Sequence, residues 1–266
     1  MSSRVAAFFD LDGTLLPLPP LEQKFFGMLR DRREIPSVNY FLWFAEALKM
    51  LPRGIRAVRH ANKMYLRGVQ SLEESGARKH GDSRAHASGP TGEGRPSMPP
   101  KHNPRWPVPQ FFGDGVERVA WHARQGHFIV MVSGTLERLA RAAARALEIE
   151  LAARGVTAGI RVCATKLEEK NGIWTGRILG EAMYGKAKAR AMLTLAEEMN
   201  LDLSQSWAYG DSAEDRWMLA SVGNPAAVNP TPKLARIARR QGWPVLRTTN
   251  RVRPIENQLR HAERCA

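Results

Sequence analysis

The chain predicts an α/β fold built on a parallel sheet, and three short apolar runs carry that prediction. Val5 to Phe9, His127 to Val132 and Ser206 to Tyr209 each read as a buried strand closed by a polar turn, and the second and third lead into helical stretches. Open α/β sheets bind ligands at the carboxyl ends of their strands. All three runs deliver reactive residues to that end.

The first run passes straight into Asp10-Leu11-Asp12-Gly13-Thr14. Two neighbouring carboxylates repel each other and resist burial, so the pair implies a shared hard cation such as Mg2+ or paired acid and base roles. Asp-Gly alone fits a hairpin turn equally well. Pro17-Leu18-Pro19-Pro20 then stops any helix. Phe41, Phe44, Ala45, Leu48 and Leu51 repeat at helical spacing, which predicts an amphipathic helix over Val38 to Leu51. Its aromatics are expected to pack inward, with an apolar substrate portion or an acidic membrane as other contacts. A second helix is predicted over Ile55 to Val69.

From Gly76 to Arg105 the chain has no Val, Ile, Leu or aromatic residue. Such a stretch buries too little apolar surface to offset its ordering entropy, and it reads as a disordered insertion. His80, His86 and His102 within it read as solvated side chains rather than metal ligands. Trp106 to Phe112 brings the chain back to the core.

The second strand ends in Ser133-Gly134-Thr135, ahead of a helix expected over Leu136 to Leu151. A hydroxyl and backbone N–H groups at a helix N-terminus suit a phosphate, although the same tripeptide serves as an ordinary N-cap. Arg161 to Thr165 and Ile173 to Ile178 flank Lys170-Asn171-Gly172, a hairpin signal. Gly185-Lys186-Ala187-Lys188 opens a helix to about Met199, and a lysine in a first helical turn opposes the helix dipole unless an anion holds it there. The third strand feeds Gly210-Asp211-Ser212-Ala213-Glu214-Asp215, which puts Asp211 beside the first acidic pair and Asp215 one helical turn further on.

These four segments, in this order, resemble the motifs of the haloacid dehalogenase superfamily of phosphotransferases: DLDGT at Asp10 to Thr14, a hydrophobic strand with Ser133 to Thr135, the lysine element around Lys188, and GDSAED at Gly210 to Asp215. Gly172 to Ile178, Tyr184-Gly185 and Val222 to Pro230 extend the likeness to the subclass related to phosphoserine phosphatases. It covers Val5 to Leu16 and Gly115 to Leu246. The resemblance implies a Rossmann-like parallel-sheet core formed by residues 1–16 and 111–266, with residues 17–110 inserted as a mostly helical cap that contains the segment 76–105. It also implies that Asp10 is a nucleophile forming an aspartyl phosphate, and that Asp12 protonates the leaving group and then activates water. Mg2+ would be held by Asp10, Asp211 and the backbone carbonyl of Asp12. Ser133, the Gly134 N–H and Lys188 would bind the phosphoryl group, and Asp215 would support the lysine or the metal. The family pattern places the functional lysine at Lys188, with Lys186 as the fallback.

The expectation is therefore a Mg2+-dependent phosphatase acting on a phosphorylated small molecule or a lipid-like phosphate. A phosphotransferase to an acceptor other than water is one alternative. A non-catalytic basic protein on nucleic acid or an acidic membrane is another. Formal charge is +14 over 266 residues. Residues 21–110 hold sixteen Lys/Arg against eight Asp/Glu, and residues 233–266 hold nine against two. This excess attracts anions without choosing among them, with nucleic acid the least favoured and peripheral membrane contact left open. Two cysteines, Cys163 and Cys265, lack metal-ligand spacing, and Asp10 and Asp12 interrupt any N-terminal leader, so a cytoplasmic location is expected. Phosphoserine phosphatases read their substrate with a cap glutamate and a cap arginine. Here the first cap acid is Glu22, beyond a proline turn, and the cap arginines include Arg53, Arg56, Arg59 and Arg67. Phosphoserine is accordingly expected to be a poor substrate.

Overall fold

The computed structural model describes residues 3–53, 61–71 and 106–248. A six-stranded sheet runs in the order β3-β2-β1-β6-β7-β8 with every pairing parallel. Its strands are β1 (Ala6–Phe9), β2 (Phe128–Leu136), β3 (Ile160–Thr165), β6 (Trp207–Gly210), β7 (Asn224–Val228) and β8 (Val245–Leu246). A separate two-stranded sheet pairs β4 (Leu167–Lys170) with β5 (Ile173–Ile178). The helices are α1 (Leu21–Asp31), α2 (Ser37–Met50), α3 (Gly113–Arg124), α4 (Glu137–Ala153), α5 (Lys186–Met199), the single turn α6 (Arg216–Leu219) and α7 (Pro232–Gln241).

The four residues of β1 are all buried, and they alternate between two apolar layers. Ala7 and Phe9 join the layer containing Val116 and Val119 of α3 and Leu139 and Leu147 of α4. Ala6 and Phe8 join Met192 and Leu195 of α5, Met218 of α6 and Leu234 of α7. Helices thus cover both faces, which is why the strand reads as a continuous apolar run. Each such buried aromatic or aliphatic side chain contributes about 1.5–3 kcal/mol through removal from water. Helix ends follow local chemistry. Pro232 opens α7, where its missing N–H costs nothing, and Gly242 closes it at φ +69°.

Strand order turns about β1, with β2 on one side and β6 on the other. Phe9 is in register with both Met131 and Tyr209, so the three predicted motif-bearing strands end side by side. The Asp10 N–H donates to Tyr209 O at 2.9 Å, which fastens the end of β1 to β6.

Four sequence expectations need correction or bounding. The Asn171-Gly172 turn does make a hairpin, with φ +52° and +75° as a tight two-residue turn requires. Its strands, however, are β4 and β5. Arg161 to Thr165 pairs with β2 in the main sheet instead, because its apolar residues are claimed by the core. The helix predicted to reach Val69 is, over residues 61–69, a 3-10 turn at Met64–Leu66 followed by extended Arg67 and by Gly68 at φ +80°. Backbone bonds explain the break. The Gly68 N–H donates to Trp174 O, and Trp174 N–H donates to Val69 O, tying this stretch to the hairpin. In α2 the buried residue is Asn39, whose amide donates to Tyr65 O and Arg67 O. Tyr40 and Trp43 pack on Phe26, while the predicted apolar stripe of Phe41, Phe44 and Leu48 faces outward. The segment 76–105 and Cys265 lie outside the described residues.

Candidate active site

The turn after β1 is built by short backbone bonds. Gly13 N–H donates to Leu16 O, and the N–H groups of Leu15 and Leu16 both donate to Leu11 O. Gly13 takes φ +89°, and a Cβ there would overlap the Asp211 carboxylate. The turn therefore brings the backbone at Gly13 close against Asp211 at the end of β6, which only a glycine permits.

Asp10 is buried with its Oδ1 2.5 Å from Lys188 Nζ and its Oδ2 3.5 Å from Thr14 Oγ1. Asp12 points the other way. Its Oδ1 accepts from the Leu21 N–H at 2.7 Å, at the start of α1, and its Oδ2 accepts from Thr135 Oγ1 at 2.9 Å. Lys188, in the first turn of α5, is 4% exposed and also reaches Asp215 Oδ1 at 2.6 Å. The other oxygen of Asp215 accepts from the N–H and hydroxyl of Ser212. The lysine that looked misplaced against the helix dipole is held by two carboxylates. Lys186 is turned outward, with its ammonium over the Trp217 ring at 5.1 Å.

Burial and crowding set the charges. Asp10 is raised well above its ordinary value, first by burial and then by Asp215 and Asp211, with Lys188 opposing. Asp211 is pushed up to about 7 by burial and by Asp215. Asp12 is raised by burial, against the lowering effect of its bonds from Leu21 and Thr135. Burial works against the Lys188 charge, but Asp10 and Asp215 outweigh it and raise its value.

Ser133 and Gly134 lie beside this group, on the irregular end of β2 and ahead of α4, which starts at Glu137, one residue past the expected Leu136. Ser133 Oγ accepts from the Thr135 N–H at 3.1 Å. The Gly134 carbonyl accepts from Thr165 Oγ1 at 2.8 Å, and a Cβ at Gly134 would overlap the Tyr184 ring. Thr165 and Tyr184 thus fix the loop from outside.

A cavity of about 380 Å³ connects Asp10, Asp12, Ser133, Gly134, Lys188 and Asp211. Leu18, Pro20, Glu22 and Lys63 complete its wall. Glu22 Oε1 accepts from Lys63 Nζ and from Tyr65 OH, each at 2.8 Å. Burial disfavours the Lys63 charge, yet the neighbouring Glu22 carboxylate raises its value overall. Lys63, Tyr65, Thr165 and Tyr184 were not anticipated as site residues. The Tyr184-Gly185 pair leading into the lysine element was the one sequence signal for any of them.

Carboxylate oxygens of Asp10, Asp211 and Asp215 lie within 4.8 Å of one another. All-oxygen donors, crowded enough to resist joint ionisation, match the chemistry of a hard divalent cation. The model for haloacid dehalogenase-like hydrolases matches residues 7–220. The chain belongs to the haloacid dehalogenase-like hydrolases. Among relatives of this chain, phosphoserine phosphatase SerB1 of Mycobacterium tuberculosis is 35% identical over 129 residues, which cover 48% of this chain and 39% of that protein. An inhibition of morphological differentiation protein of Streptomyces azureus is 47% identical over 87 residues, covering 32% and 31% of the two chains. The chain thus spans less than half the length of these relatives. A solved protein of unknown function from Bordetella pertussis superposes with a TM-score of 0.59 at 26% identity, covering 92% of this chain and 99% of that one. A probable phosphoserine phosphatase from Vibrio cholerae shares the fold, with a TM-score of 0.54 at 18% identity over 92% of this chain and 61% of that one. No helix among the described residues is long and apolar enough to cross a membrane.

Proposed function

We propose that this hydrolase cleaves a phosphate monoester through an aspartyl phosphate. The observation that carries the reading is the opposed setting of two acids two positions apart. Asp10 faces Lys188, while Asp12 is held by Leu21 and Thr135. In the first step an Asp10 oxygen attacks phosphorus and the bond from phosphorus to the ester oxygen breaks. Asp12, whose value burial raises, gives a proton to the departing alkoxide. In the second step Asp12, now a carboxylate, takes a proton from water as the water oxygen attacks phosphorus. The bond to Asp10 breaks, phosphate leaves, and Asp12 is again protonated.

Lys188 neutralises charge on Asp10 and on the incoming phosphoryl group, and Ser133 with Gly134 supplies donors at the strand end. Asp10, Asp211 and the Asp12 main-chain carbonyl would hold Mg2+, with Asp215 positioning Lys188. Once bound, the cation supplies electrostatic neutralisation of the phosphoryl oxygens. Of the cap insertion read over residues 17–110, the described residues Glu22 and Lys63 stand at the cavity wall.

Hydrolysis of an aryl phosphate with and without Mg2+ tests the reading. Asp10→Asn is expected to abolish turnover at unchanged thermal stability, and Asp12→Asn to lower it about 10²- to 10⁴-fold. Substantial activity in a stably folded Asp10→Asn variant would overturn the covalent route.

A further inference from the structure

Helix α2 presents to solvent a face that a folded domain ordinarily hides. Phe41 is 76% exposed, Phe44 68%, Val38 59% and Leu48 55%, and Leu51 continues the line just past the helix. These positions recur every three or four residues, so they form one stripe, with no charged side chain inside it. Among the described residues nothing buries them. The opposite side of the helix is already committed, through Asn39 to the backbone at Tyr65 and Arg67 and through Trp43 to Phe26 and Tyr65.

Charge indicates what covers the stripe. The sequence from Lys49 to Val69 holds Lys49, Arg53, Arg56, Arg59, Lys63 and Arg67 and no acid. Lys49 and Lys63 are matched by Glu46 and Glu22. A chain of net charge +14 repels a second copy of itself and is drawn to an anionic surface. Nucleic acid offers charge but no apolar layer to receive two phenylalanines and a leucine. An anionic bilayer offers both, with apolar side chains entering about 5–10 Å below headgroups that attract a chain of this net charge. We propose that the outward face of α2 is a docking surface for an anionic phospholipid bilayer. The helix rests one aromatic layer from the cavity, since Trp43 packs on Tyr65 and Tyr65 bonds to Glu22.

The test is flotation of the full chain with phosphatidylcholine vesicles, with or without about 30 mol % phosphatidylglycerol. The expected result is at least about tenfold enrichment on the anionic vesicles, reduced by raised salt. The triple variant Phe41→Ser/Phe44→Ser/Leu48→Ser is expected to lose that enrichment while keeping its circular dichroism and melting temperature. If the triple variant folds poorly, Phe41→Ser alone, at the most exposed position, carries the comparison. Absence of vesicle binding, or binding unaffected by the substitutions, would overturn the proposal. So would a wild-type dimer in sedimentation velocity that the variant dissociates, because the stripe would then be a self-association surface.

Discussion

Lys188 Nζ stands 2.5 Å from Asp10 Oδ1, although the two residues are 178 positions apart. The pairing is made by topology. Asp10 follows the central strand β1, and α5 opens at the same carboxyl end of the sheet, so the buried ammonium reaches both Asp10 and Asp215.

Lys188→Met is expected to lower aryl-phosphate turnover by about 10²- to 10³-fold, the scale lost when one charge-stabilising donor is removed from a buried site. It also strands two buried carboxylates, so the melting temperature should fall, with a cost of about 3–5 kcal/mol at neutral pH in the absence of metal. Lys186→Ala, which removes only a contact with the exposed Trp217 ring, should keep activity within about twofold. Equal loss in both variants would contradict the assignment of Lys188.

The crowded acids couple stability to pH and metal. Asp211 holds its proton up to about 7 in the fold against 3.8 ordinarily, and Asp10 is raised as well. The folded state therefore binds more protons than the unfolded chain between those values. The sign follows: stability from these groups is present at low pH and declines as pH rises through that window, by at most about 1.4 kcal/mol per pH unit per group. A divalent cation held by these carboxylates would take the place of the missing protons. Adding MgCl2 is expected to raise the melting temperature more at pH 8 than at pH 5, and Asp211→Asn should remove most of that difference. A Mg2+ effect independent of pH would count against these carboxylates as its site.

What could be read from the sequence was what local pattern encodes. Strand-end acids follow apolar runs, and the resemblance to the family's lysine element points to Lys188 after Gly185, so Asp10, Asp12, Lys188, Asp211 and Asp215 are candidates on the sequence alone. The Glu22–Tyr65 bond, across 43 residues with no shared pattern, had no such signal. The orientation of α2 failed for a different reason. Tyr40 and Trp43 on one side and Phe41 and Phe44 on the other make the helix apolar nearly all round, so periodicity could not say which side faces in. The hairpin turn was legible from Asn171-Gly172, but the choice between β3 and β4 as its partner depended on competition for the main sheet.

A second titrating group acts in the opposite direction. His122 is buried with its Nδ1 2.8 Å from His127 Nδ1 and its Nε2 2.8 Å from Tyr209 OH. Burial, then His127, lowers its value from 6.5 to about 3. The fold thus keeps it neutral where the unfolded chain takes a proton. Its contribution is full above 6.5 and is lost as pH falls from there toward about 3. His122→Gln, which preserves a hydrogen-bonding side chain without the titration, should narrow the change in melting temperature between pH 7.5 and pH 5 relative to wild type. An unchanged pH profile would show that His122 is not the acid-sensitive group.

The cavity wall bears on substrate choice. Glu22 would be the residue to receive a substrate ammonium, but its Oε1 already accepts from Lys63 and Tyr65. An incoming amino group would have to compete with a partly buried lysine whose charge Glu22 itself stabilises. Like charges brought together at a desolvated site cost several kcal/mol, so the wall disfavours an amino acid phosphate and accepts an ester that is neutral or anionic beyond the phosphate. Phosphoserine is therefore expected to show a lower kcat/KM than larger esters without an ammonium. Lys63→Met should narrow that ratio by about tenfold, the scale of one polar discrimination. Because Lys63 touches neither Asp10 nor Asp12, aryl-phosphate turnover measured beside it separates a change in selectivity from damage to the reacting groups. A wild-type kcat/KM for phosphoserine above that of every larger ester would refute the expectation, and selective loss of phosphoserine turnover in Glu22→Gln would then identify Glu22 as the group reading the amine despite its lysine.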